Sequence, residues 1–506
     1  MSSLAVDPSN PVPGTYILVD LLGVAQSPGV GPLRALIISP PQSGQGNAAA
    51  DTEIRPVASL DDVQAAQGRS LGYLAFAAMF ANDPQCVVDL ISCTESTGAA
   101  AAQTLTFAGT PTSNMTFRLW IKGVQIDLAW NVGETPTTAK SNAVTKINGY
   151  AAVLPCLASA GAVGLANLTA NSKGVAGNDV RLRIKIIAGA GGTATLGGTT
   201  LVGGTGEPDM TTALSTASVK EYDYIVLCTS NADAQASSSS NPIRAKTMIN
   251  ANDTGRTAKL QQLVWGSTGS FGSAKVSGIA LNEPTAEQIC SVNDESLPCE
   301  LAAAEAGDRA RRRRRESNAN RVGQPLLGIK GSADIVGDQP SDLEAADALN
   351  NGVSPVGYAA NGAPIIIRSV TTHSQDTSGN ADRRCFDVNE VDGLYDYTKD
   401  IRTFVQQTYQ SPDGQVKIAK NQQPGDDPLP EGVVEERDVR ASIAQRTLNF
   451  WVPKGVIDGA KFQAAVDDGT FSSTLNASDP TQLDVFIPAA CYKILAKVGV
   501  TVKKVA

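Results

Sequence analysis

Two glycine-rich segments, Lys173–Arg183 (KGVAGNDVRLR) and Gly203–Met210 (GGTGEPDM), lead into one strongly apolar stretch, Tyr222–Cys228 (YDYIVLC). Their order constrains the fold more than any other feature of the chain. A dinucleotide fingerprint follows a strand and opens a helix, which brings helix N-terminal amides to the phosphates. Here the glycines come first, Met210–Val219 reads as a helix, and the apolar strand follows. No Lys-Ser or Lys-Thr pair closes the loop, so a P-loop is excluded too. The two segments frame a strand-loop unit and hand the chain over to a buried strand.

Around this unit runs a β-α-β rhythm that argues for an α/β domain. Leu33–Ser39 and Val87–Ser92 read as strands, with helices at Leu60–Ala66 and Leu71–Phe80, the first capped by Ser59 and opened by Asp61 and Asp62. From Thr94 the character changes to short alternating strands: Thr104–Ala108, Thr116–Ile121, Val124–Trp130 and Val180–Ile187. A Lys122-Gly123 turn and a helix with Ala139, Val144, Ile147 and Ala151 on one face complete a small β-rich unit. It interrupts the α/β rhythm and reads as an insertion. The rhythm resumes at Tyr222–Cys228 and continues through a helix near Ile243–Ala251, the segments Gln261–Trp265 and Lys275–Leu281, a helix from about Leu297 to Arg315, and the strand Ala363–Val370. Such a series suggests a largely parallel sheet covered on both faces. The polar run Ser237–Ser240 reads as a surface loop.

A third region follows Arg383. Leu394, Tyr397, Ile401, Phe404, Val405 and Thr408 share one helical face, and Lys399, Arg402 and Gln406 lie away from it. Gln422–Gly432 reads as a loop, Val433–Asn449 as a second helix, and Leu483–Ile487 as a strand. Near the ends of the chain, Thr15–Leu22 and a segment in which Val498, Val500 and Val502 alternate with polar residues are strand-like. With 506 residues the chain exceeds the roughly 250–300 that one core supports, so two to four domains are expected. The divisions read as 1–22, an arm and strand; 23–95, the first part of the α/β core; 96–188, the insert; 189–382, the rest of the core; and 383–506, a C-terminal domain.

A formal charge of −9 argues against nucleic acid as the main partner, because phosphate binding needs a basic footprint. No apolar run reaches the roughly 18–20 residues that cross a bilayer. The first residues, MSSLAVDPSNPVPG, resemble no signal peptide, so folding in the cytoplasm is expected. The eight cysteines form no CxxC pair and read as reduced, buried thiols. His373 is the only histidine, which excludes multi-histidine zinc sites and leaves any Ser-His-Asp or Cys-His triad dependent on it. It reads as a polar residue at a strand end. Arg311–Arg315, five arginines in a row, reads as the solvated C-terminal end of a helix, where cations suit the dipole. The acidic pairs Asp61-Asp62, Asp426-Asp427, Glu435-Glu436 and Asp467-Asp468 read as caps and solvated surface. No catalytic, metal-binding or cofactor-binding set emerges.

Five separated segments resemble, in order, the contractile tail sheath proteins of bacteriophages, the Mu-like group in particular. KGVAGNDVRLRI (173–184) is similar to the end of that family's inserted domain, and GGTGEPDM followed by YDYIVLCTSNAD to the start of its α/β region. RSVTTH (368–373) with FDVNEVDGLYDYTKDIRTFVQQTY (386–409) resembles the opening of the C-terminal domain, and NASDPTQLDVFIPAACYKILAKVGVTVK (476–503) its end. The Ser-rich loop at 237–240 and the arginine run depart from the family.

The resemblance implies a subtilisin-like α/β sheath core, an inserted small β-rich domain, an α+β C-terminal domain and extended terminal arms. It implies a structural protein, without cofactor or protease activity, that polymerises as stacked rings around a tail tube and contracts to drive the tube through the bacterial envelope for genome delivery. The implied partners are further copies of the chain, the tail tube protein, and baseplate and tail terminator proteins, with no direct nucleic-acid contact and no membrane insertion. The implied place is the virion tail, assembled in the host bacterial cytoplasm. Tyr16 and Leu18 at one end and Val498, Val500 and Val502 at the other would form intersubunit strands. Lys399, Arg402 and Gln406 would face the tube. Two other readings stay open: an α/β hydrolase-like enzyme with an accessory domain, and another self-assembling virion protein. Delivery of DNA and a tailocin-like particle are equally compatible.

Overall fold

The computed structural model describes residues 33–44, 53–233, 240–253, 258–410, 416–423, 427–479 and 482–492. Tyr16, Leu18, Val498, Val500 and Val502, and all of the 237–240 loop except Ser240, lie outside the described residues.

Eight strands form the main sheet: β1 (Arg34–Ser39), β2 (Arg55–Val57), β3 (Val87–Ser92), β11 (Tyr224–Leu227), β12 (Gln262–Ser267), β13 (Ala286–Cys290), β14 (Ser354–Tyr358) and β15 (Pro364–Ile366). The spatial order is β15-β14-β13-β12-β11-β1-β3-β2. The six inner strands are parallel, and only the edges β15 and β2 run antiparallel. From β1 the chain first winds outward to β3, then restarts at β11 and winds the other way, so the strand order reverses between β1 and β11.

Side chains of one strand alternate between the two sheet faces. Ala35, Ile37, Tyr224, Val226 and Val264 pack on one face with helices α1 (Leu60–Gln67), α2 (Leu71–Asn82) and α7 (Pro298–Arg313). Leu36, Ile38, Ile225, Leu227 and Leu263 pack on the other with α4 (Thr211–Ala217) and α5 (Asn241–Asn252). Both faces are therefore apolar, which is why these strands read as continuous hydrophobic runs. Helix α1 starts in a capping box between Ser59 and Asp62. Helix α7 lies so close to α2 and the sheet that a Cβ on Gly307 would sit 2.7 Å from the Met79 carbonyl oxygen, and one on Gly266 2.0 Å from that of Pro298.

Lys275–Leu281 is the second half of helix α6 (Phe271–Leu281), and the strand beside it is β13, whose sequence AEQIC hides it. Glu287 and Gln288 break its apolar pattern yet are buried, with Glu287 accepting from Arg309 and Ser354 and Gln288 Nε2 donating to Ser277. The expected strand Ala363–Val370 is shorter, Pro364–Ile366, and pairs only at the sheet edge. Helix α8 (Asp342–Asn350) precedes β14.

The insert holds two antiparallel sheets. One has the order β10-β4-β8-β7, with β4 (Ala102–Gly109), β7 (Cys156–Ala160), β8 (Leu165–Ala170) and β10 (Gly192–Leu196); the other has β6-β5-β9, with β5 (Met115–Ile121), β6 (Val124–Trp130) and β9 (Leu182–Ala188). Lys122 and Gly123 both take positive φ, 51° and 67°, and close the β5–β6 hairpin with the twist such two-residue turns require. Fully buried Trp130 meets Phe107 edge-on at 5.7 Å. Helix α3 (Pro136–Asn148) buries Ala139, Ala143 and Ile147, but Ala151 lies beyond its end. β7, β8 and β10 consist largely of Ala, Ser, Thr and Gly, which carry little strand signal. Because β10 pairs with β4, the β-rich region continues past residue 188 to Leu196.

The C-terminal region is organised on helix α9 (Val388–Tyr409), with α10 (Glu436–Arg446), α11 (Gly459–Asp467) and the strand pairs β16 (Lys417–Ala419) with β17 (Val433–Glu435) and β18 (Ser472–Leu475) with β19 (Leu483–Phe486). The helix expected over Val433–Asn449 opens as a strand because Val433–Glu435 pairs with β16. It widens to a π turn at Thr447–Trp451.

Candidate functional site

Two joints tie the main sheet to the rest of the molecule, and both gather the charged residues of the chain. The first is the docking of α9 on α7. Arg309 and Arg313 are one helical turn apart, as are Asp392 and Asp396, so each pair projects from one side of its helix. Arg309, with a side-chain exposure of 0%, donates to Asp392 through Nε at 3.2 Å and Nη2 at 2.8 Å, and to Glu287 through Nη1 at 3.0 Å. Arg313 donates to Asp396 at 2.9 Å. Tyr224 of β11 and Gln262 of β12 donate to Asp392 at 3.2 and 2.8 Å, and the Arg309 guanidinium stacks 4.7 Å from the Tyr224 ring centre. Arg321 pairs with Glu305 close by.

The arginine run is thus an internal ionic hub and not the solvated helix end expected from sequence. Arg313 is buried, Arg311 and Arg312 pair with Asp308 on their own helix, and Arg314 pairs with Asp83 at the end of α2. Only Arg315 of the five is exposed. Burial pushes the Asp392 carboxyl up, but Arg309 and Arg313 outweigh it and hold it below its ordinary value. Burial likewise opposes Asp223, which Lys399 and Arg313 bring below the ordinary range.

Lys399 and Arg402 belong to the same joint. Lys399 Nζ donates to Asp223 at 2.7 Å and lies 3.1 Å from Glu221, and Arg402 lies 3.7 Å from Glu221. Neither is the free surface cation that the helical pattern suggests, because the acids they face come from the loop before β11, 176 residues away from Lys399 in the chain. Gln406 is exposed. The other side of α9 carries Tyr397 and Ile401 into the C-terminal core, where Tyr397 meets Trp451 edge-on at 5.6 Å. The RxxxR and DxxxD spacings of α7 and α9 were the sequence signal for this joint.

The second joint fastens the insert across the carboxyl ends of the parallel strands. After β1, Ser43 N donates to the Asn171 carbonyl at 2.8 Å, and after β3, Glu95 accepts from Lys173 N at 2.8 Å. After β11, Asn231 donates to Asp179 twice at 3.0 Å, and Ser230 Oγ donates to Glu207. After β13, Arg181 donates to Asn293 Oδ1 at 2.8 Å and the Asp294 carbonyl at 3.1 Å, and Arg183 to Glu295 at 2.8 Å. Lys122 pairs with Glu300 in the first turn of α7. In open parallel sheets ligands bind outside these carboxyl ends, where the strand order reverses. Here the glycine-rich connection Gly203–Met210 and the loop around Lys173–Asp179 lie on that crevice.

His373 is buried and its Nε2 lies 3.0 Å from Asp382, which also takes Arg384 at 2.7 Å. Asp61-Asp62 and Asp467-Asp468 serve helix ends as expected, with Asp62 accepting from Ser59 N at 2.9 Å and Asp468 from Thr470 N at 2.8 Å. Glu435 is buried and pairs with Arg437. Seven of the eight cysteines are buried. Among the described residues no group of three or more His, Cys, Asp or Glu side chains is placed to hold a metal ion, and no helix is long and apolar enough to cross a membrane.

No family model matches the chain, and no curated protein matches it. Among solved structures it is similar to a sheath tail protein of Listeria innocua, with 14% identity over 85% of this chain and 87% of that one and a TM-score of 0.44. A sheath tail protein of Desulfitobacterium hafniense shows 12% identity over 95% and 100% of the two chains, with a TM-score of 0.44. A chain of the contracted helical sheath of the anti-feeding prophage shows 11% identity over 98% and 99%, with a TM-score of 0.43.

Proposed function

We propose that this chain is the structural subunit of a contractile tail sheath of the Mu-like group, which polymerises as stacked rings around a tail tube and contracts to drive the tube through a bacterial envelope. The observation that carries this reading is the ordered set of five family-like segments. Three of them fall on parts of the molecule that join its regions: 173–184 on the insert joint, 203–210 with 222–233 on that joint and on β11 with its following loop, and 386–409 on α9. A long helix anchored in one core and carrying another suits a subunit that moves as a rigid body between two lattice packings.

The sheath reading assigns no chemistry to the site, and the crevice where an α/β enzyme would place its substrate is covered by the chain's own connections. In this reading the terminal arms, with Tyr16 and Leu18 and with Val498, Val500 and Val502, add strands to neighbouring copies. The exposed end of α9, including Gln406, is the part of that helix left for a tube contact. Baseplate and terminator proteins would bound the polymer at its two ends, in the tail of the particle.

Electron microscopy of the purified full chain tests the proposal: striated hollow cylinders are expected. Truncation after Ala496 should give a folded monomer without cylinders. A full-length chain that stays monomeric at high concentration and in the presence of tubes overturns the sheath assignment.

A further inference from the structure

At the insert joint three carboxyl groups from separate segments converge on one short loop after β11. Asp179 comes from the turn Val175–Asp179, Glu207 from the returning connection, and Asp233 from the loop itself. Ser230 organises them: its Oγ accepts from Ala232 N at 3.0 Å and Asp233 N at 3.2 Å, and gives its only proton to Glu207 Oε1. Asp179 is held by Asn231, and Asp233 by Asn241 N at 3.3 Å and Asn241 Nδ2 at 2.8 Å. The cations of the neighbouring elements bond elsewhere, although Arg181 still draws Asp179 down and Arg244 draws Asp233 down. Arg244 of α5 pairs with exposed Asp209 at 2.5 Å, and Arg181 reaches to Asn293 and Asp294. Glu207 Oε2 is buried without a hydrogen-bond partner among the described residues.

An ionised Glu207 would put a negative charge on that unpartnered oxygen, beside two further carboxyls and with no bonded cation. The Ser230 hydroxyl bonds an ionised carboxylate more strongly than a neutral one, so ionisation loosens the joint through the buried charge and its repulsion by Asp179 and Asp233, which a neutral Glu207 removes. We propose that the Glu207–Ser230 contact is a proton-operated latch between the insert and the main sheet, closed when Glu207 is protonated and loosened when it ionises. This does not depend on the assembly proposed above.

Burial pushes Glu207 up to about 7, against the Ser230 hydroxyl and with the help of Asp233 and Asp179. Burial also pushes Asp179 up to about 6, against its bonds from Asn231. Both values lie above those of free carboxyl groups, so the joint is tightest below the free value and weakens as pH rises through about 6 to 7. The latch is therefore poised at neutral pH.

Hydrogen exchange of the full chain, followed by mass spectrometry and corrected for the chemical rate, tests it. Between about pH 5.5 and about pH 8, peptides covering 203–210 and 229–233 should lose protection about tenfold, while the β12 peptide 262–267 stays unchanged. Glu207→Gln should keep those peptides protected at both values. A wild-type change of less than about twofold, or a midpoint below about pH 5, overturns the latch, and neither outcome needs the variant to fold. A Glu207→Gln protein that retains the wild-type change overturns it as well.

Discussion

The α9 joint and the insert joint both hold a region against the same sheet, yet the loop after β11 gives the second a different electrostatic character. At α9, carboxylates and guanidinium groups alternate in a dry site, and every carboxylate named there faces a cation. The insert joint also holds ion pairs, Lys122 with Glu300 and Arg183 with Glu295, but beside the loop after β11 its carboxyls Asp179, Glu207 and Asp233 bond to amides and a hydroxyl, while Arg181 and Arg244 are bonded elsewhere. A buried ion pair adds little net stability because desolvation offsets attraction, but misregister leaves a bare charge and is costly. The α9 joint therefore fixes one docking of the C-terminal region. The loop after β11, where the insert is held by uncharged donors, is the part of the other joint built to yield.

The sharpest way to break this contrast is Asp392→Ala. It leaves Arg309 with Glu287 as its one remaining carboxylate and takes a partner from Arg313, and is expected to lower stability by about 3–5 kcal/mol in urea unfolding. A loss under about 1 kcal/mol would mean that the hub does not lock the helix. The hub also has a pH signature. Asp392 and Asp223 have folded values below their unfolded ones, so their contribution is full above the unfolded carboxylate range and is lost as pH falls through the folded values. Asp396 and Glu305 of the same hub run the other way, since burial pushes them up to about 6 and about 8 against Arg313 and Arg321. The α9 joint should therefore lose exchange protection only below the ordinary carboxylate range, where the loop after β11 stays closed.

A double-mutant cycle on Arg309→Met and Asp392→Leu should return a coupling of about 1–3 kcal/mol, because removing both charges leaves neither alone. Glu287 keeps a bond from Ser354 in the double variant. At the insert joint, Arg181→Ala should cost only about 1–2 kcal/mol, the scale of a few hydrogen bonds. Its effect should be confined to exchange within 173–210, and a global loss equal to that of Asp392→Ala would erase the distinction between the joints. Lys275→Ala removes an ion pair between two partly exposed side chains, Lys275 at 28% and Asp347 at 52%, and should stay within about 0.5 kcal/mol.

Much of the main sheet was legible, because strands buried on both faces are uniformly apolar and the helices between them carry caps such as Ser59. β13 was not, since a buried Glu287 looks like a surface residue until Arg309 is seen opposite it. The Lys122-Gly123 hairpin was legible from its turn chemistry, whereas β7, β8 and β10, with small side chains, were recognisable only by their pairing. Among the candidate site residues, Gln406 sits on the surface as read. Lys399 and Arg402 sit on the side of α9 opposite its apolar face, as read, but that side is also covered.

By itself the sequence determined the local terms: where apolar periodicity makes strands and helices, where glycine permits a reversal, and that no multi-histidine site can form. Those follow from properties of adjacent residues. The partners of the charges were decided only by the tertiary structure. Five arginines in a row have the same local meaning in solvent or in a core: Arg311 and Arg312 pair with Asp308 on their own helix, but Arg313 and Arg314 depend on carboxylates 79 and 83 residues away on α9 and 231 away on α2. Coulomb attraction acts through space and is strongest where water is excluded, so which charge is surface and which is hub depends on packing.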